Sequence, residues 1–344
     1  MKKIFITGIC GFVGSNLAIY FKNENYQVHG VDNLSRKGSY KNYLKLKKNG
    51  IKILIGNLCS NRVLKKILRK NVYSNLIHCA GYTSVLDGTN SIQAKDLYEN
   101  NIFSTLNSLE IAKQYNSNFI YISSSRVYSL PSLNSIKLKF KKNYKLSLNN
   151  LEGLSKKGVN ENFSTLSPVS LYGNSKIICE KIIEEYCYNN KIGFVINRCG
   201  LLTGSGQLYK SDQGIVSFWI NSWKKNKKLS YIGFNGKGLQ TRDCLHPYDL
   251  ATLLKKQIKK IKKLKKDNKI FNVSGGTDSS FSLKELSEWC CNNIFYKKIK
   301  SAKQNRPFDV KWIVLDNSRA KKEFKWKIKY KKNKIFKDIL NENN

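Results

Sequence analysis

Residues 6–21 read ITGICGFVGSNLAIYF, and three glycines, Gly8, Gly11 and Gly14, recur there at intervals of three. An apolar run at 4–6 precedes them and a stretch with helical periodicity follows. The segment is either a nucleotide-binding turn or a glycine-rich connection between a strand and a helix. The next strand signal bears on the choice, because residues 27–31 are followed directly by Asp32, 18 positions after Gly14. Glycines allow a tight turn and close approach of the backbone to a pyrophosphate. The helix that follows offers unpaired N–H groups and the positive end of its dipole. A carboxylate ending the second strand accepts hydrogen bonds from both adenosine ribose hydroxyls and repels a 2′-phosphate. Together these features predict an NAD site rather than an NADP site. Its expected residues are Gly8, Gly11, Phe12, Val13, Gly14 and Asp32, with Asn33, Ser35 and Arg36 around the ribose. Arg36 and Lys37 pull the other way, since cations there would favour a phosphate.

The same alternation continues along the first half. Strand signals at 3–7, 27–31, 51–55, 75–78 and 119–123 are separated by helical stretches, among them 12–22, 61–69 and 96–115. This pattern predicts an α/β fold, a Rossmann-type doubly wound parallel sheet with helices on both faces. Gly56-Asn57-Leu58 follows the third strand, where Asn57 can meet the adenine amino group. His78-Cys79-Ala80-Gly81 ends the fourth, where the small Ala80 and Gly81 let the backbone pass close to the cofactor. The pattern weakens over 129–167, which reads as an excursion with a short hairpin. A helix at 171–189 and a strand at 193–198 follow. Residues 1–198 are therefore read as the NAD-binding domain, with 236–265, including a strand near 239–246, returning to it. Residues 199–235 and 266–344 form a smaller C-terminal substrate-binding lobe.

Composition narrows the class. At 344 residues with 41% hydrophobic content, the chain can bury a large core. It contains no apolar run of the length that crosses a bilayer. The opening MKKIFITGICGFVG fits a strand and turn better than a leader peptide, and the chain is read as cytoplasmic. Nine cysteines include no CxxC pair, so no metal site is expected and the thiols are read as reduced. The formal charge of +39 is almost all lysine, with eight arginines in the chain, and the lysines are spread over its whole length. That spread is read as compositional bias, not as a nucleic-acid surface, although such a field attracts nucleotide diphosphates.

Chemistry enters with SLYGNSKIICEK, which holds Tyr172 and Lys176 four apart on one helical face. An ammonium beside a phenol favours the phenolate. Such a tyrosine can take a hydroxyl proton while hydride leaves the same carbon. IYISSSRVYS ends the fifth strand on the usual ligand side of such sheets. Of Ser123, Ser124 and Ser125, Ser124 is chosen to hydrogen-bond the reacting oxygen.

TGxxGFxG, Asp32, HxAG, SSSxVY and YxxxK, in this order, resemble the extended short-chain dehydrogenase/reductases, in particular the nucleotide-sugar epimerase and dehydratase group. Within it DNLSRKG (32–38), SDQG (211–214), TRDCLHPYDL (241–250), FNVSGGT (271–277) and RPFDVKWIVLD (306–316) are similar to a branch that epimerises CDP-sugars at C2. The resemblance implies Ser124, Tyr172 and Lys176 as a catalytic triad, with Tyr172 and Lys176 also among the cofactor contacts, and Arg242, Arg306 and Gln207 as substrate contacts, the arginines on the diphosphate. It implies NAD as a resident cofactor, a nucleotide-sugar substrate, and a homodimer formed through the helices at 96–115 and 171–189. Ser125 and Arg126 stand where the group's dehydratases carry Asp-Glu, which disfavours elimination of water. Ser129 replaces a usual glycine, Asn57 a common aspartate, and Leu201 an asparagine frequent in 4-epimerases. The expected function is thus epimerisation through a ketone. A 4-epimerase or a reductase of another nucleotide sugar remains the enzymatic alternative. A non-catalytic NAD sensor that binds nucleic acid is the alternative from a different class.

Overall fold

The computed structural model describes residues 2–342 apart from 70, 71, 90, 91, 141, 148, 149, 211, 212, 266 and 303. Its first half follows the predicted alternation: β1 Lys3–Thr7, α1 Phe12–Asn23, β2 Gln27–Asp32, α2 Ser39–Lys48, β3 Lys52–Ile55, α3 Asn61–Leu68 and β4 Asn75–His78. Next come α4 Ala94–Tyr98, a π-helical turn Glu99–Phe103, α5 Ser104–Gln114 and β5 Asn118–Ser124. The excursion contains α6 Leu130–Asn134, an antiparallel hairpin of β6 Leu138–Phe140 and β7 Tyr144–Leu146, and a second small pair, β8 Leu154–Ser155 and β9 Gly158–Val159. Then follow α7 Leu171–Asn189 and β10 Phe194–Cys199.

The remainder comprises β11 Leu201–Leu202, α8 Ile215–Lys224, β12 Ser230–Tyr231, β13 Thr241–Leu245, α9 Pro247–Lys260, β14 Ile270–Val273 and β15 Ser280–Ser282. It ends with α10 Leu283–Asn293, β16 Lys300–Ser301, β17 Trp312–Ile313, α11 Ser318–Phe324 and α12 Lys332–Leu340.

Seven strands form one parallel sheet in the order β14-β10-β5-β4-β1-β2-β3. The order reverses between β1 and β4, the place where such sheets open a crevice for a ligand. Central strands are buried on both sides, as sheets covered by helices require; every residue of β4 and β10 is buried. One core layer joins Ile4, Ile6, Leu17 and Phe21 to Leu250, Leu254 and Phe271. The other face packs α5 and α7 against Phe119, Tyr121 and Ile196.

Two boundaries differ from the sequence reading. The strand near 239–246 does not rejoin the main sheet: β13 pairs with β11, β15 and β17 in a separate four-stranded sheet. What returns of that segment is its packing: α9 sets Leu250, Leu253 and Leu254 into the layer around α1, joined by Leu245, Ile261 and Leu264. Conversely β14, placed by the reading in the substrate lobe, is the seventh strand of the main sheet beside β10. Phe324 and Trp326 follow it into the same core. The reason is topological. The helix that crosses over to a new edge strand must cover the sheet, so α9 and β14 travel together, and a strand of four residues gives too short a pattern to read.

Candidate active site

The glycine turn is fixed by sterics. Gly8 has φ +65°, a left-handed conformation that favours glycine. A Cβ on Gly14 would lie 2.2 Å from the Gly8 carbonyl oxygen, so α1 can begin this close to β1 only without one. No side chain caps the N-terminus of α1. Its first N–H groups therefore stay available to an anion, as a pyrophosphate cradle requires. Gly11, Phe12, Val13 and Gly14 line the cavity there.

Asp32 ends β2 with its carboxylate set by the turn itself: Oδ2 accepts the Cys10 N–H at 2.9 Å and Oδ1 the Leu34 N–H at 2.8 Å. Burial raises its pKa, and the backbone N–H groups of Leu34, Cys10 and Gly11 oppose that rise. Arg36, the cation that left NADP open in the sequence, donates to the Leu208 carbonyl at 2.7 Å and to Thr83 Oγ1 at 3.1 Å. A carboxylate ending β2 beside an arginine drawn into protein contacts fits NAD. Asn33 and Ser35 lie on the same rim, where Asn33 Oδ1 accepts the Ser35 N–H at 3.1 Å. Asn57 uses Oδ1 to accept the Cys59 N–H at 3.0 Å, and Leu58 lines the cavity beside it. Ala80 and Gly81 close the floor, and a Cβ on Gly81 would meet Asn101 Oδ1 at 2.8 Å.

Ser124, Tyr172 and Lys176 open into this same cavity of about 680 Å³. Tyr172 occupies the first turn of α7, which Ser170 caps by accepting the Gly173 N–H at 3.0 Å. Lys176 is buried, with Nζ 3.5 Å from the Ile122 carbonyl oxygen and 6.0 Å from the Tyr172 ring centroid. The serines separate by chemistry. Ser123 Oγ donates to Glu180 Oε1 at 2.5 Å, and Arg198 holds that carboxylate at 2.7 Å. Ser124 Oγ accepts the Arg126 N–H at 3.2 Å and is not committed to a carboxylate. His78 is a satisfied core histidine. Both ring nitrogens have hydroxyl partners, Thr7 and Ser108 on one and Thr105 on the other, and burial, with Lys176 nearby, pushes its pKa down to about 3.

Arg242 and Arg306 line the far end of the cavity. Arg242 donates to Asp309 Oδ1 at 2.9 Å and to the carbonyls of Val310 and Thr241, both at 2.8 Å. Arg306 is exposed at the mouth. Gln207 lines the wall, but its Oε1 accepts from Thr203 at 2.7 Å and from Ser217 at 3.0 Å, and its Nε2 donates to the Leu202 carbonyl. Its amide oxygen is thus already doubly engaged. Of the SDQG stretch, Ser211 and Asp212 lie outside the described residues, while Gln213 and Gly214 line the cavity.

Three further residues escaped the sequence reading. Asn101 sits in the π-helical turn, accepting the Tyr82 N–H at 2.8 Å and donating to Ser175 at 2.9 Å. It ties α4 and α5 to the helix bearing Tyr172, and no local pattern announces a π turn. Asp309 was visible only inside RPFD. Buried Asp243 accepts the N–H groups of Gly276 and Leu315 and the Ser274 hydroxyl, joining three segments behind Arg242, and burial pushes its pKa up to about 6.

Fold and cavity together define a dinucleotide-dependent enzyme whose cavity extends between the parallel sheet and the smaller sheet. A model of the NAD dependent epimerase/dehydratase family matches residues 4–274, and the chain belongs to that family. It is 30% identical to the CDP-paratose 2-epimerase of Salmonella typhi over 290 residues, 83% of this chain and 82% of that one. It is also 30% identical to a dTDP-D-glucose 4,6-dehydratase of Dictyostelium discoideum over 257 residues, 73% of this chain and 54% of the relative. The UDP-glucose 4-epimerase of Thermotoga maritima, solved with UDP-glucose, has the same fold, with a TM-score of 0.78 at 20% identity over 98% of this chain and 97% of that one. NAD is accordingly the cofactor, and nucleotide sugars are the substrates with which such relatives work. Among the described residues no helix is long and apolar enough to cross a membrane, and no group of three metal-ligating side chains occurs.

Proposed function

We propose that this protein is an NAD-dependent nucleotide-sugar epimerase that inverts one sugar carbon through a ketone, with CDP-paratose oxidised and reduced at C2. The observation that carries the reading is the company kept by the tyrosine. Tyr172, Lys176 and Ser124 share a cavity with two arginines suited to a diphosphate, while Ser125 and Arg126 occupy the positions from which an acid pair would drive elimination. Similarity to the Salmonella enzyme supports C2 and the cytidine nucleotide.

In this reading Tyr172 takes the hydroxyl proton and later returns it. Lys176 supplies positive charge beside it. Ser124 already accepts an N–H through its oxygen, so its own proton is free to hold the reacting oxygen in place. Arg242 and Arg306 grip the diphosphate with planar forks that a lysine cannot reproduce. NAD, when bound, supplies hydride acceptance and return. Gly8, Gly11 and Gly14, with Asp32, Asn57 and Gly81, hold it. The assembly is a homodimer formed through α4, α5 and α7, where Phe103 and Tyr188 are more than half exposed. Analytical ultracentrifugation checks that part.

The decisive experiment is proton NMR of the purified protein with CDP-paratose in D₂O without added NAD. Conversion to CDP-tyvelose with protium kept at C2 supports the reading. Absence of conversion, with UDP-, GDP- and dTDP-sugars converted instead, overturns the CDP-paratose assignment.

A further inference from the structure

Eight arginines stand among the chain's 62 basic residues; four line one cavity, Arg36 at its cofactor end and Arg126, Arg242 and Arg306 together at its other end. Two were expected on the diphosphate. The third comes from a different place, two residues beyond Ser124 in a short 3₁₀ turn, Ser125–Val127.

Arg126 spans the two chemical ends of the site. Its backbone N–H donates to Ser124 Oγ at 3.2 Å. Its carbonyl oxygen would lie 2.2 Å from a Cβ on Gly173, so its peptide packs tightly on the helical turn that carries Tyr172. At the other end its guanidinium Nη1 donates to the Phe308 carbonyl at 3.2 Å, on the loop that bears Arg306 and Asp309. Asp309 is already paired with Arg242 at 2.9 Å, and among the described residues Arg126 has no ion-pair partner. Burial, and then the neighbouring Arg242 and Arg306, push its pKa down to about 10, against a counter-pull from Asp309 and Tyr172. It therefore remains a cation at neutral pH, half-buried and beside two others. Such a charge is costly until an anion reaches it.

The substrate's own chemistry limits which anion that is. In a nucleoside diphosphate sugar the β-phosphate is attached to the anomeric carbon, C1. C2 is bonded to C1, whereas C4 lies across the ring. Oxidation at C2 therefore needs the β-phosphate closer to Ser124 and Tyr172 than oxidation at C4 does. A guanidinium between those hydroxyls and the diphosphate arginines lies along that shorter path.

We propose that Arg126 is a specificity-determining residue that takes the β-phosphate oxygens and so presents C2, rather than C4, of the sugar to Ser124 and Tyr172. This rests on the 2-epimerase reading of the site. The step itself is unchanged: a hydride and a proton leave C2 and its hydroxyl, and both return, the hydride to the opposite face.

The test uses the NAD-loaded enzyme, its Arg126→Gln variant and, as a variant that keeps the charge but loses the fork, Arg126→Lys. Retained NAD content shows that each variant folds. Affinities for CDP and CMP are measured first, because only CDP carries a β-phosphate. Arg126→Gln is expected to weaken CDP by about tenfold or more, the size of a charge-assisted contact, with CMP unchanged; Arg126→Lys falls between. Turnover is then followed with CDP-paratose deuterated at C2 or at C4. Wild type slows only for the C2 label, and Arg126→Gln acquires sensitivity at C4. A brace that merely held the 306–309 loop would weaken binding without moving the reacting carbon. Equal loss of CDP and CMP, no loss of either, or chemistry confined to C2 in Arg126→Gln overturns the proposal. Absence of any turnover of CDP-paratose by wild type would instead overturn the 2-epimerase reading and with it the C2 assignment, leaving the CDP-to-CMP ratio to decide whether Arg126 holds a β-phosphate.

Discussion

On the cofactor side of the cavity, Gly8, Gly11, Gly14 and Asp32 fall within one strand-helix-strand unit. On the substrate side, Arg126, Arg242, Arg306 and Asp309 come from three separate segments and meet only after the whole chain has folded. The first group is held by backbone: the turn's N–H groups orient Asp32, and absent side chains make the room. The second is held by side chains from a 3₁₀ turn, the strand β13 and the 306–309 loop, with Asp309 paired to one of the three guanidinium groups. A site written in backbone geometry tolerates few changes and keeps one ligand. A site written in side chains on separate segments can be retuned residue by residue, consistent with relatives of one fold that are named for different nucleotide sugars.

Substitutions can break this contrast in order of size. Tyr172→Phe removes the proton acceptor and is expected to lower turnover about a thousandfold, within the usual range for general-base loss. NAD content of the purified protein, read from absorbance after denaturation, stays at the wild-type level. A parallel loss of NAD would show that the hydroxyl of Tyr172 acts chiefly through its cofactor contact and not as a proton acceptor. Gly14→Ala acts on the opposite half. Its Cβ cannot share the 2.2 Å to the Gly8 oxygen, so the turn must open. Destabilisation of about 3 kcal/mol, the upper range for overpacking, is expected in a denaturant melt, together with loss of bound NAD. Gly50 is the internal control: it has φ +70°, but a Cβ placed there would meet no atom within 4 Å. Gly50→Ala therefore costs only the backbone strain, about 1 kcal/mol, and keeps NAD. Asp32→Asn is milder. It keeps the shape and loses the charge that the proposed site uses for the ribose hydroxyls and against a phosphate, so NAD is expected to weaken about tenfold while NADP gains relative to it. Titration of the apoprotein with both nucleotides measures the ratio, and an unchanged ratio would remove Asp32 from cofactor selection.

How far the sequence could be read follows from the same contrast. Strands β1 to β5, and helix α7 to the residue, were legible because a parallel sheet covered on both faces writes itself as short apolar runs with helices between. The glycine turn and Asp32 were legible because their spacing is local. Asn101 was not, since a π turn leaves no periodic trace, nor was the role of Asp309, which depends on Arg242 arriving from 67 positions away. Gln207 was expected in the substrate site and does line it, but the hydroxyls of Thr203 and Ser217 occupy its oxygen, and no sequence pattern reports such a commitment. β14 was misplaced because four residues at a sheet edge look like any short apolar run. Ser124 could be separated from Ser123 only after Glu180 and Arg198 were seen to claim the latter.

The smallest expected effect concerns the lysines. Along α9 the buried face is Leu250, Leu253, Leu254, Gln257 and Ile258, and the lysines occupy the rest. Lys255 pairs with Glu24 and Lys260 with Glu323, while Lys259 and, in the turn that follows, Lys262 and Lys263 are exposed. An exposed face of an amphipathic helix contributes little to stability when its charges change. Replacing Lys259, Lys262 and Lys263 together by Gln is therefore expected to shift stability by no more than about 0.5 kcal/mol per site and to leave turnover of the nucleotide sugar unchanged. Retention on a heparin column falls with the lost charge, because counterion release scales with the cations that reach a polyanion. If activity instead fell with retention, the lysine field would belong to the function, steering the nucleotide diphosphate toward the cavity, and the spread of lysine along the chain would no longer be compositional alone.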